Sequence, residues 1–481
     1  MRNYIVLFLG CLLFHVAGTW SLPLIDRDEP RFAEAAREMR ERGDYIVPYF
    51  NNQFRFDKPP LTYWFQVASY RFFGENDFAA RFPTAVAAAL VALLLFAWGK
   101  RVRDERTGWW AAIIFTLSLQ TFIHGKAAVA DMWLVLFVTL AHWAGWEVRA
   151  GLAVNTERRT PNAEHRTASW WLIFYVSLAL AFLAKGPIGW TPLLTVAIAQ
   201  GFVRREGLAA RFKFVRGVLL MLALVCVWGI PALLQTHGEF FRVGIGKHVV
   251  ERSIVTMEGH GGSSIWMYLA LLPFYFITVF VSFFPWSIKL AALWKNLRNN
   301  GDGTDQFLLA GAVIIFGIFT FVQTKLPHYT LPAFPLLALL VARRFDSLRL
   351  SKSLPIAMSA IYMAVGLLVT PFLAKLFPSY TLARDSRPNL KPETEFGAID
   401  FTEPSLVWYF RHRIHGFMTP LKRKEAAEFM SRPGARFVVL PTKVVSETFP
   451  STDASWRSYH EIGLNVAKGQ NVDVTMLLKT E

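Results

Sequence analysis

The chain has 481 residues, of which 53% are hydrophobic, 15% aromatic and only 18% charged. Soluble domains average about 25% charged residues, so this composition excludes disordered, collagen-like and ordinary cytosolic proteins. The formal net charge of +16 would suggest nucleic acid binding in a soluble protein. In so apolar a chain, the first question is whether the basic residues lie in loops on one side of a membrane.

Apolar segments that could cross a membrane recur along most of the chain. A spanning helix needs about 20 mostly apolar residues. Cys11 and Cys226 lie within two such segments, and their spacing predicts neither a zinc site nor a disulfide framework. The predicted spans are residues 3–22, 80–99, 108–123, 127–147, 169–184, 187–203, 217–234, 265–288, 306–323, 330–342 and 354–374.

The loops between these spans carry an alternating charge pattern. With the N-terminus in the cytoplasm, all the short basic loops fall on one side, namely 100–106, 149–166, 204–216, 289–298 and 343–352. The positive-inside rule makes that side cytoplasmic, which explains much of the net charge without nucleic acid. The first span is alternatively a cleaved signal peptide, with Arg2 before the apolar run and small residues at Ala17–Gly18.

The C-terminal part of the chain has the composition of a soluble domain. Val438–Leu440 and Val472–Leu478 predict strands, Lys422–Met430 predicts a short helix, and Pro and Gly punctuate the segments. We therefore expect a membrane domain at 1–375 followed by a small α/β domain at 376–481, outside the membrane. Its sequence shows no residue set that calls for chemistry.

The first external loop, residues 23–79, contains two amphipathic segments. Pro30–Arg42 has a helical pattern, with Asp28 near the positive end of the helix dipole and Gly43 at its stop. A second, aromatic-rich segment follows Phe56–Pro60. We predict that both are interfacial helices lying on the external surface of the membrane. Anchoring of the chain in the lipid headgroup layer accounts for the aromatic residues.

Ionisable residues recur at the outer ends of the predicted spans. Asp28 and Lys58 lie in the first loop, Asp131 just inside a span, and Lys185 between two apolar runs; Lys325-Leu326-Pro327-His328-Tyr329 lies before another. An ionisable group at membrane depth costs ~2.5–3.5 kcal/mol, so each is a functional candidate. Structural ion pairing, helix capping and snorkelling are the alternatives.

These groups lie on one side of the predicted membrane, so we expect a reaction centre there. Cations suit a phosphate, carboxylates suit a general base or a metal ligand, and aromatic residues suit a lipid tail or a sugar face. The external loop at 235–264 has further polar residues, but no tight metal-ligand spacing, and solvated loop side chains are the alternative. They are His237, His248, Glu251, Arg252, Glu258 and His260.

The sequence resembles the integral-membrane glycosyltransferases of the GT-C superfamily. Within it, the similarity is to the bacterial family of the lipid A aminoarabinose transferase, related to the dolichyl-phosphate-mannose–protein mannosyltransferases. The matching motifs run in the family's order from about residue 20 to 340. They are Asp28-Glu29-x-Arg31-Phe32, Gly43-Asp44-Tyr45-Ile46-Val47-Pro48, Phe56-Asp57-Lys58-Pro59-Pro60, Ala80-Arg81-Phe82-Pro83, Ala130-Asp131, Ala184-Lys185-Gly186-Pro187 and Lys325-Leu326-Pro327-His328-Tyr329-x-Leu331-Pro332.

The resemblance implies an all-α polytopic protein of the bacterial inner membrane, and the predicted spans give it about eleven transmembrane helices. It also implies a polyprenyl-phosphate-linked sugar donor, transfer on the periplasmic face, and no nucleotide cofactor and no nucleic acid partner. The chain has fewer predicted spans than the longer lipid A enzymes, so the acceptor stays open between a lipid A-like lipid, another glycan and a protein. Residue by residue, the resemblance makes Asp28 the base or acceptor-positioning group and Asp131 the second essential carboxylate.

The remaining site residues follow from the same resemblance. Arg31 and Lys185 are expected to be cations of the substrate cavity. Lys58 and Tyr329, with Arg252 as a third residue, are expected to hold the lipid phosphate. Asp57 together with His248 could hold a divalent metal ion, the one cofactor expected. They join Asp28 and Asp131 in the predicted site.

Two rival functions remain open on the sequence alone. A transporter or lipid flippase also carries charged residues in its spans, but such proteins tend to show internal repeats and midplane sites. This sequence shows no repeat, and its charges gather at one face. The third reading, a lipid-binding scaffold without turnover, leaves the many ionisable groups unexplained.

Overall fold

The computed structural model describes residues 1–154, 161–202, 210, 212–251, 265–348, 351–450, 455–466 and 469–480. Up to about residue 377 the described chain is almost entirely helical, and beyond it the chain folds around a sheet. The predicted combination of a helical part with a small C-terminal α/β part is therefore confirmed.

The helical part is built from elements of very different length. Its helices are, in chain order, α1 (Arg2–Val16), α2 (Asp28–Arg42), α3 (Leu61–Phe73), α4 (Asp77–Val102), α5 (Glu105–Thr116), α6 (Leu119–His124), α7 (Asp131–Val154), α8 (Pro161–Lys185), α9 (Thr191–Phe202), α10 (Phe214–Gln235), α11 (Ile265–Ala270), α12 (Phe274–Ser282), α13 (Leu290–Asn300), α14 (Gly303–Phe321), α15 (Phe334–Arg343), α16 (Leu354–Ala364) and α17 (Thr370–Leu373). Short 3₁₀ or π segments lie at Pro187–Trp190, Phe240–Glu251, Trp286–Lys289, Pro327–Ala333, Val365–Val369 and Ala374–Leu376.

Several helices have the length and hydropathy of membrane spans. Among the described residues, four meet both criteria: Asp77–Val102, Phe214–Gln235, Gly303–Phe321 and the nearly continuous helical run Leu354–Leu376. A fifth is added if Phe274–Ser282 and Trp286–Asn300, which meet at 117°, form one bent span. The predicted count of eleven spans goes beyond these helices and stays a prediction.

Polar caps mark the ends of the apolar helices, where backbone groups lack helical partners. The Asn76 side chain accepts from Ala79 N at the start of α4, and Asp104 accepts from Thr107 N at the start of α5. At the C-terminal end of α14, Lys325 Nζ donates to the carbonyls of Phe319 and Thr320, at 3.0 and 2.5 Å. Lys325, a functional candidate in the sequence, therefore serves as a helix C-terminal cap.

The C-terminal part is a five-stranded mixed sheet with short helices. The strands are β3 (Glu395–Ala398), β4 (Met418–Pro420), β5 (Arg436–Pro441), β6 (Arg457–Asn465) and β7 (Gln470–Lys479), in the spatial order β4-β3-β5-β7-β6. The helices are α18 (Pro378–Ser386), α19 (Pro404–Phe410), α20 (Arg423–Ser431) and α21 (Val445–Thr448). The predicted strands at 438–440 and 472–478 fall within β5 and β7, and the predicted helix at 422–430 matches α20, so all three are confirmed.

Strand β3 pairs in parallel with β4 and β5, whereas β7 runs antiparallel to both β5 and β6. The central strand β5 buries both faces, as expected for a strand covered on each side. One face packs against Phe396 and Phe410, and the other against Phe429 of α20.

The first loop forms the predicted helix α2, but its surroundings correct the interfacial interpretation. Glu34, Arg37 and Glu38 are 0–1% exposed, although a helix lying on a membrane would turn such residues to water. They are buried because α19 of the C-terminal part packs across α2. A short hairpin follows α2, formed by β1 (Tyr49–Phe50) and β2 (Gln53–Phe54).

Candidate functional site

Residues at the predicted outer ends of three distant segments meet in one place. α7 begins at Asp131, α8 ends at Lys185, and the 3₁₀ segment Pro327–Ala333 carries Tyr329. Lys185 Nζ lies 2.5 Å from Asp131 Oδ1, and the same ammonium lies 5.3 Å from the centre of the Tyr329 ring. Gly186, with φ +83°, ends α8 directly after Lys185 and turns the chain away.

Two histidines complete this group. His328 Nε2 lies 4.0 Å from Asp131 Oδ1, and the rings of His124 and His328 have centroids 4.8 Å apart. Burial lowers the pKa of His328 well below its usual range; Asp131 opposes this shift, and His124, Lys185 and Lys58 add to it. Burial likewise lowers the pKa of His124. Both imidazoles are therefore neutral at pH 7.

The sequence prediction omitted both histidines from the site. His328 lies within the quoted motif Lys325–Tyr329, and His124 directly follows the predicted span 108–123. Their position on the predicted outer side was the available signal, since all the other candidates share it. What the sequence could not show is that the two rings, 204 positions apart, face each other.

His124, Asp131 and His328 also form a group that could hold a metal ion. One ligand atom from each residue lies within 4.8 Å of the others. Two imidazoles and a carboxylate suit zinc-like ions. However, Lys185 already neutralises Asp131, so a metal ion would have to displace its ammonium group.

The predicted metal pair, Asp57 with His248, has a different environment. Asp57 Oδ2 lies 3.0 Å from Arg55 Nη1 and forms an ion pair with it. His248 lies in the π segment Phe240–Glu251, but its side chain is outside the described residues, as is all of Arg252, the third predicted phosphate-binding residue.

Asp28 lies at the exposed start of α2, beside a second polar group in the first loop. Arg55 Nε donates to the Tyr63 hydroxyl at 3.0 Å. Burial raises the pKa of Tyr63, Arg55 lowers it, and the charges of Asp57 and Asp28 raise it further. Asp28 is thus electrostatically coupled to the buried Arg55–Tyr63 pair.

Lys58 connects the two polar groups along the chain. It follows Asp57 directly, is half-buried, and its charge lowers the pKa of His328.

A ring stack holds the neighbouring helices in place: Phe65 of α3 and Trp133 of α7 have centroids 3.7 Å apart at an interplanar angle of 10°. Arg31, also half-buried, lies one turn after Asp28 on α2.

The arrangement places cations near Asp131, a buried carboxylate that is already paired with Lys185. Lys185 and Lys58 carry positive charge, and the ring of Tyr329 lies 5.3 Å from the Lys185 ammonium. Such a set suits an anion with several acceptor oxygens, such as a phosphate. Asp28, by contrast, is exposed and could accept a proton or a hydrogen bond from a second substrate.

The chain is similar to known sequences over much of its length. Residues 6–243 match the family model of dolichyl-phosphate-mannose-protein mannosyltransferase. An undecaprenyl phosphate-alpha-4-amino-4-deoxy-L-arabinose arabinosyl transferase of Edwardsiella ictaluri is 28% identical over 334 residues, covering 69% of this chain and 57% of that protein. Its counterpart in Yersinia pestis is 30% identical over 323 residues, covering 66% and 54%. The chain thus spans just over half the length of these transferases.

Solved structures show a similar fold. ArnT from Cupriavidus metallidurans bound to undecaprenyl phosphate superposes with a TM-score of 0.78 at 17% identity, covering 99% of this chain and 98% of that one. The apo form of the Archaeoglobus fulgidus oligosaccharyltransferase gives a TM-score of 0.51 at 13% identity, covering 95% and 73%. The first likeness extends over the helical part and the sheet alike.

Proposed function

We propose that this chain is a member of the GT-C superfamily, related to the aminoarabinose transferases and the protein mannosyltransferases, and that it transfers a sugar from a polyprenyl-phosphate donor to an acceptor. The observation that carries the proposal is that the Lys185 ammonium, paired with Asp131, lies 5.3 Å from the centre of the Tyr329 ring, with Lys58 electrostatically coupled to the adjacent His328. In a protein of this fold, three positive or hydrogen-donating groups at one place fit the phosphate that leaves the sugar.

In the proposed reaction, an acceptor oxygen attacks the anomeric carbon while the bond from that carbon to the phosphate oxygen breaks on the opposite face. The phosphate keeps the bonding electron pair and therefore gains negative charge. Lys58 and Tyr329, with Arg252, stabilise that charge as it develops. Asp28 takes the acceptor proton or orients the acceptor hydroxyl, and a phosphate acceptor would need only the orientation.

Asp131 and Lys185 act as a unit in this proposal. Asp131 is 6% exposed, and a buried carboxylate without a partner is costly. Its contact with Lys185 fixes the ammonium group beside Tyr329, where it and Arg31 serve as cations of the substrate cavity. Asp131 is therefore proposed to orient a cation, while Asp28 handles the acceptor.

Several finer features belong to the same proposal. The protein is a multi-pass protein of the bacterial inner membrane with its active site on the periplasmic face, with a transferase domain at 1–375 and a periplasmic domain at 376–481. The sugar is a hexose or a pentose, and the acceptor is a lipid A-like lipid, a glycan or a protein. The related undecaprenyl phosphate-aminoarabinose arabinosyl transferases support the polyprenyl-phosphate donor, and the family model of protein mannosyltransferases supports the protein acceptor.

A divalent metal ion has two proposed places. Asp57 with His248 is the first, from the sequence. His124, Asp131 and His328 are the second, and their donor atoms fit a zinc-like ion. A bound ion would supply positive charge near the leaving phosphate. At the second place, Lys185 already supplies such a charge.

The experiment is a transfer assay with the purified full chain in lipid nanodiscs. A polyprenyl-phosphate sugar is offered with each candidate acceptor, and both free polyprenyl phosphate and glycosylated product are measured. The proposal expects both products, with large losses in the Asp28→Asn and Lys58→Ala variants. Arg423→Met is the control, because Arg423 pairs with Asp400 on the exposed surface of the C-terminal part.

Two results would contradict the proposal. Undiminished transfer by Asp28→Asn and Lys58→Ala would remove the roles given to these residues. Movement of the donor across the bilayer with its sugar–lipid bond intact would instead identify a flippase, since a transferase must release the polyprenyl phosphate.

A further inference from the structure

The helix that presents Asp28 and Arg31 has an unusually charged and buried body. Glu34 and Glu38 are 0% exposed and Arg37 is 1% exposed. Removing such groups from water is costly unless each finds an ionic or hydrogen-bonding partner. The position of α2 is therefore set by whatever pairs with these three side chains.

The C-terminal part supplies those partners. Arg411 forms ion pairs with Glu34 and, at 2.7 Å, with Glu41 Oε2. Arg37, besides its pair with Glu34, donates to the carbonyl of Trp408 at 3.0 Å and lies 4.6 Å from the centre of the Trp408 ring. Helix α19 and the residue that follows it thus hold the body of α2 on its buried side.

The same short helix also holds the chain just before Asp28. Ser405 N donates to Asp26 Oδ1 at 2.9 Å, and Leu24 N donates to the Tyr409 hydroxyl at 2.6 Å. Both flanks of Asp28 are consequently tied to one element of the C-terminal part. Asp28 itself is exposed between the two attachments.

A third attachment reaches the segment that carries Lys58. Glu38 accepts from the backbone N–H groups of Asn51 and Asn52, at 2.5 and 3.1 Å, at the turn of the β1–β2 hairpin. The side chain of Asn51 exchanges two hydrogen bonds of 2.8 Å with the backbone of Met418 in β4. The hairpin leads directly into Arg55–Lys58, so the C-terminal part also orients that segment.

We propose that the C-terminal part positions the catalytic first loop, and that Arg411 is the main positioning residue. This inference rests on the proposed function, which gives Asp28 and Lys58 their roles. Arg411 makes no contact with the reacting groups in this scheme. Without Arg411, the buried Glu34 keeps only Arg37 as an ion-pair partner, and Glu38 loses a nearby positive charge. Helix α2 must then shift or admit water.

The kinetic test compares Arg411→Met with Arg411→Lys and with the double variant Glu34→Gln/Arg411→Met. A displaced catalytic group lowers kcat, and we expect a fall of roughly ten- to a hundred-fold in Arg411→Met. Lysine restores part of the rate because it keeps the positive charge. The recovery is incomplete because an ammonium group cannot pair with two glutamates at once. The double variant does not recover the rate, because Glu34→Gln also takes the ion-pair partner from the buried Arg37, and Arg423→Met again serves as the control.

The structural test measures backbone hydrogen exchange and needs no activity. We expect faster exchange in residues 28–42 of Arg411→Met, with unchanged protection in β5 and β7, and no change in Arg423→Met. A raised KM for the acceptor with unchanged kcat and unchanged exchange would overturn the proposal and make the C-terminal part an acceptor-binding surface. If the wild-type chain transfers no sugar, the proposed function fails, whereas the exchange result still decides whether Arg411 holds α2.

Discussion

Lys185 Nζ and Asp131 Oδ1 lie 2.5 Å apart, although 54 residues separate them in the chain and each ends or begins a different helix. The pair is largely buried, with side-chain exposures of 13% and 9%. In such a place the two charges depend on each other, since either alone would be a buried ion without compensation. This mutual dependence gives the first prediction.

Single removal of either charge will destabilise the protein more than removal of both. We expect Lys185→Met to cost about 3–5 kcal/mol, the usual penalty for breaking a buried pair, and Asp131→Asn/Lys185→Met to recover much of that loss. The measurement is thermal unfolding of each variant in detergent as a double-mutant cycle. Additive effects of the two substitutions would show that the pair has no energetic coupling.

Lys58 and Tyr329 are predicted to bind the lipid phosphate. Hydrogen bonds to charged groups contribute about 1.5–3 kcal/mol, so Lys58→Ala or Tyr329→Phe will weaken binding of polyprenyl phosphate by roughly ten- to a hundred-fold. Binding is measured by competition with a labelled donor. Tyr175→Phe is the matched control, because Tyr175 packs in a separate apolar cluster with Phe174 and Met221. Equal weakening in all three variants would point to a general loss of structure.

The histidine group predicts a competition between Lys185 and metal ions. Lys185→Met frees the Asp131 carboxylate, so we expect tighter binding of Co²⁺, observed by its absorption spectrum, than in the wild type. His328→Ala in the same background will remove a ligand and weaken binding. If Co²⁺ affinity is unaffected by both changes, His124, Asp131 and His328 do not form a metal site.

Asp26 gives the junction between the first loop and α19 a pH dependence. Burial raises the pKa of Asp26 to about 7, the hydrogen bonds from Ser405 oppose the shift, and Glu403 adds to it. The folded state therefore keeps a proton that the unfolded chain loses above its ordinary pKa of 3.8. Between about pH 4 and 7, the free energy of unfolding contributed by this group falls as pH rises.

The Asp26→Asn variant tests this contribution. Asparagine can still form hydrogen bonds with Ser405 but does not titrate, so the variant escapes the loss of stability that the wild type suffers as pH rises. We therefore expect the melting temperature of the variant, relative to that of the wild type, to be higher at pH 7.5 than at pH 5. Glu403, Arg27 and Arg31 face the same junction and are common to both proteins. A difference in melting temperature between them that is identical at both pH values would contradict the raised pKa.

Helices α4 and α5 pack so closely that only glycine fits at their contact. A Cβ atom on Gly99 would lie 2.6 Å from Gly108 Cα, and one on Gly108 would overlap the Phe96 carbonyl. Gly108→Ala will therefore force the helices apart and lower the melting temperature. Gly317→Ala is the control, since a Cβ there meets nothing within 4 Å and alanine favours the helix. A melting temperature for Gly108→Ala as high as for Gly317→Ala would show that the helices adjust freely.

Local patterns were sufficient to predict much of the fold. The amphipathic run after Pro30 became α2, and the segments Val438–Leu440 and Val472–Leu478, rich in strand-forming residues, became parts of β5 and β7. The same reasoning selected Asp131, Lys185 and Tyr329 because an ionisable or polar group is rare at membrane depth. It could not assign Lys325 to a helix cap, since capping depends on the direction in which one side chain turns.

The amino-acid sequence by itself determined where the helices and strands form and which polar residues stand in apolar surroundings, because hydropathy, capping and periodicity act over a few neighbouring residues. Only the tertiary structure decided that His124 faces His328, that Lys185 pairs with Asp131, and that Arg411 holds the helix of Asp28. Those contacts join positions dozens to hundreds of residues apart. Their free energy exists only once packing has excluded water and brought the charges together, which no local pattern encodes.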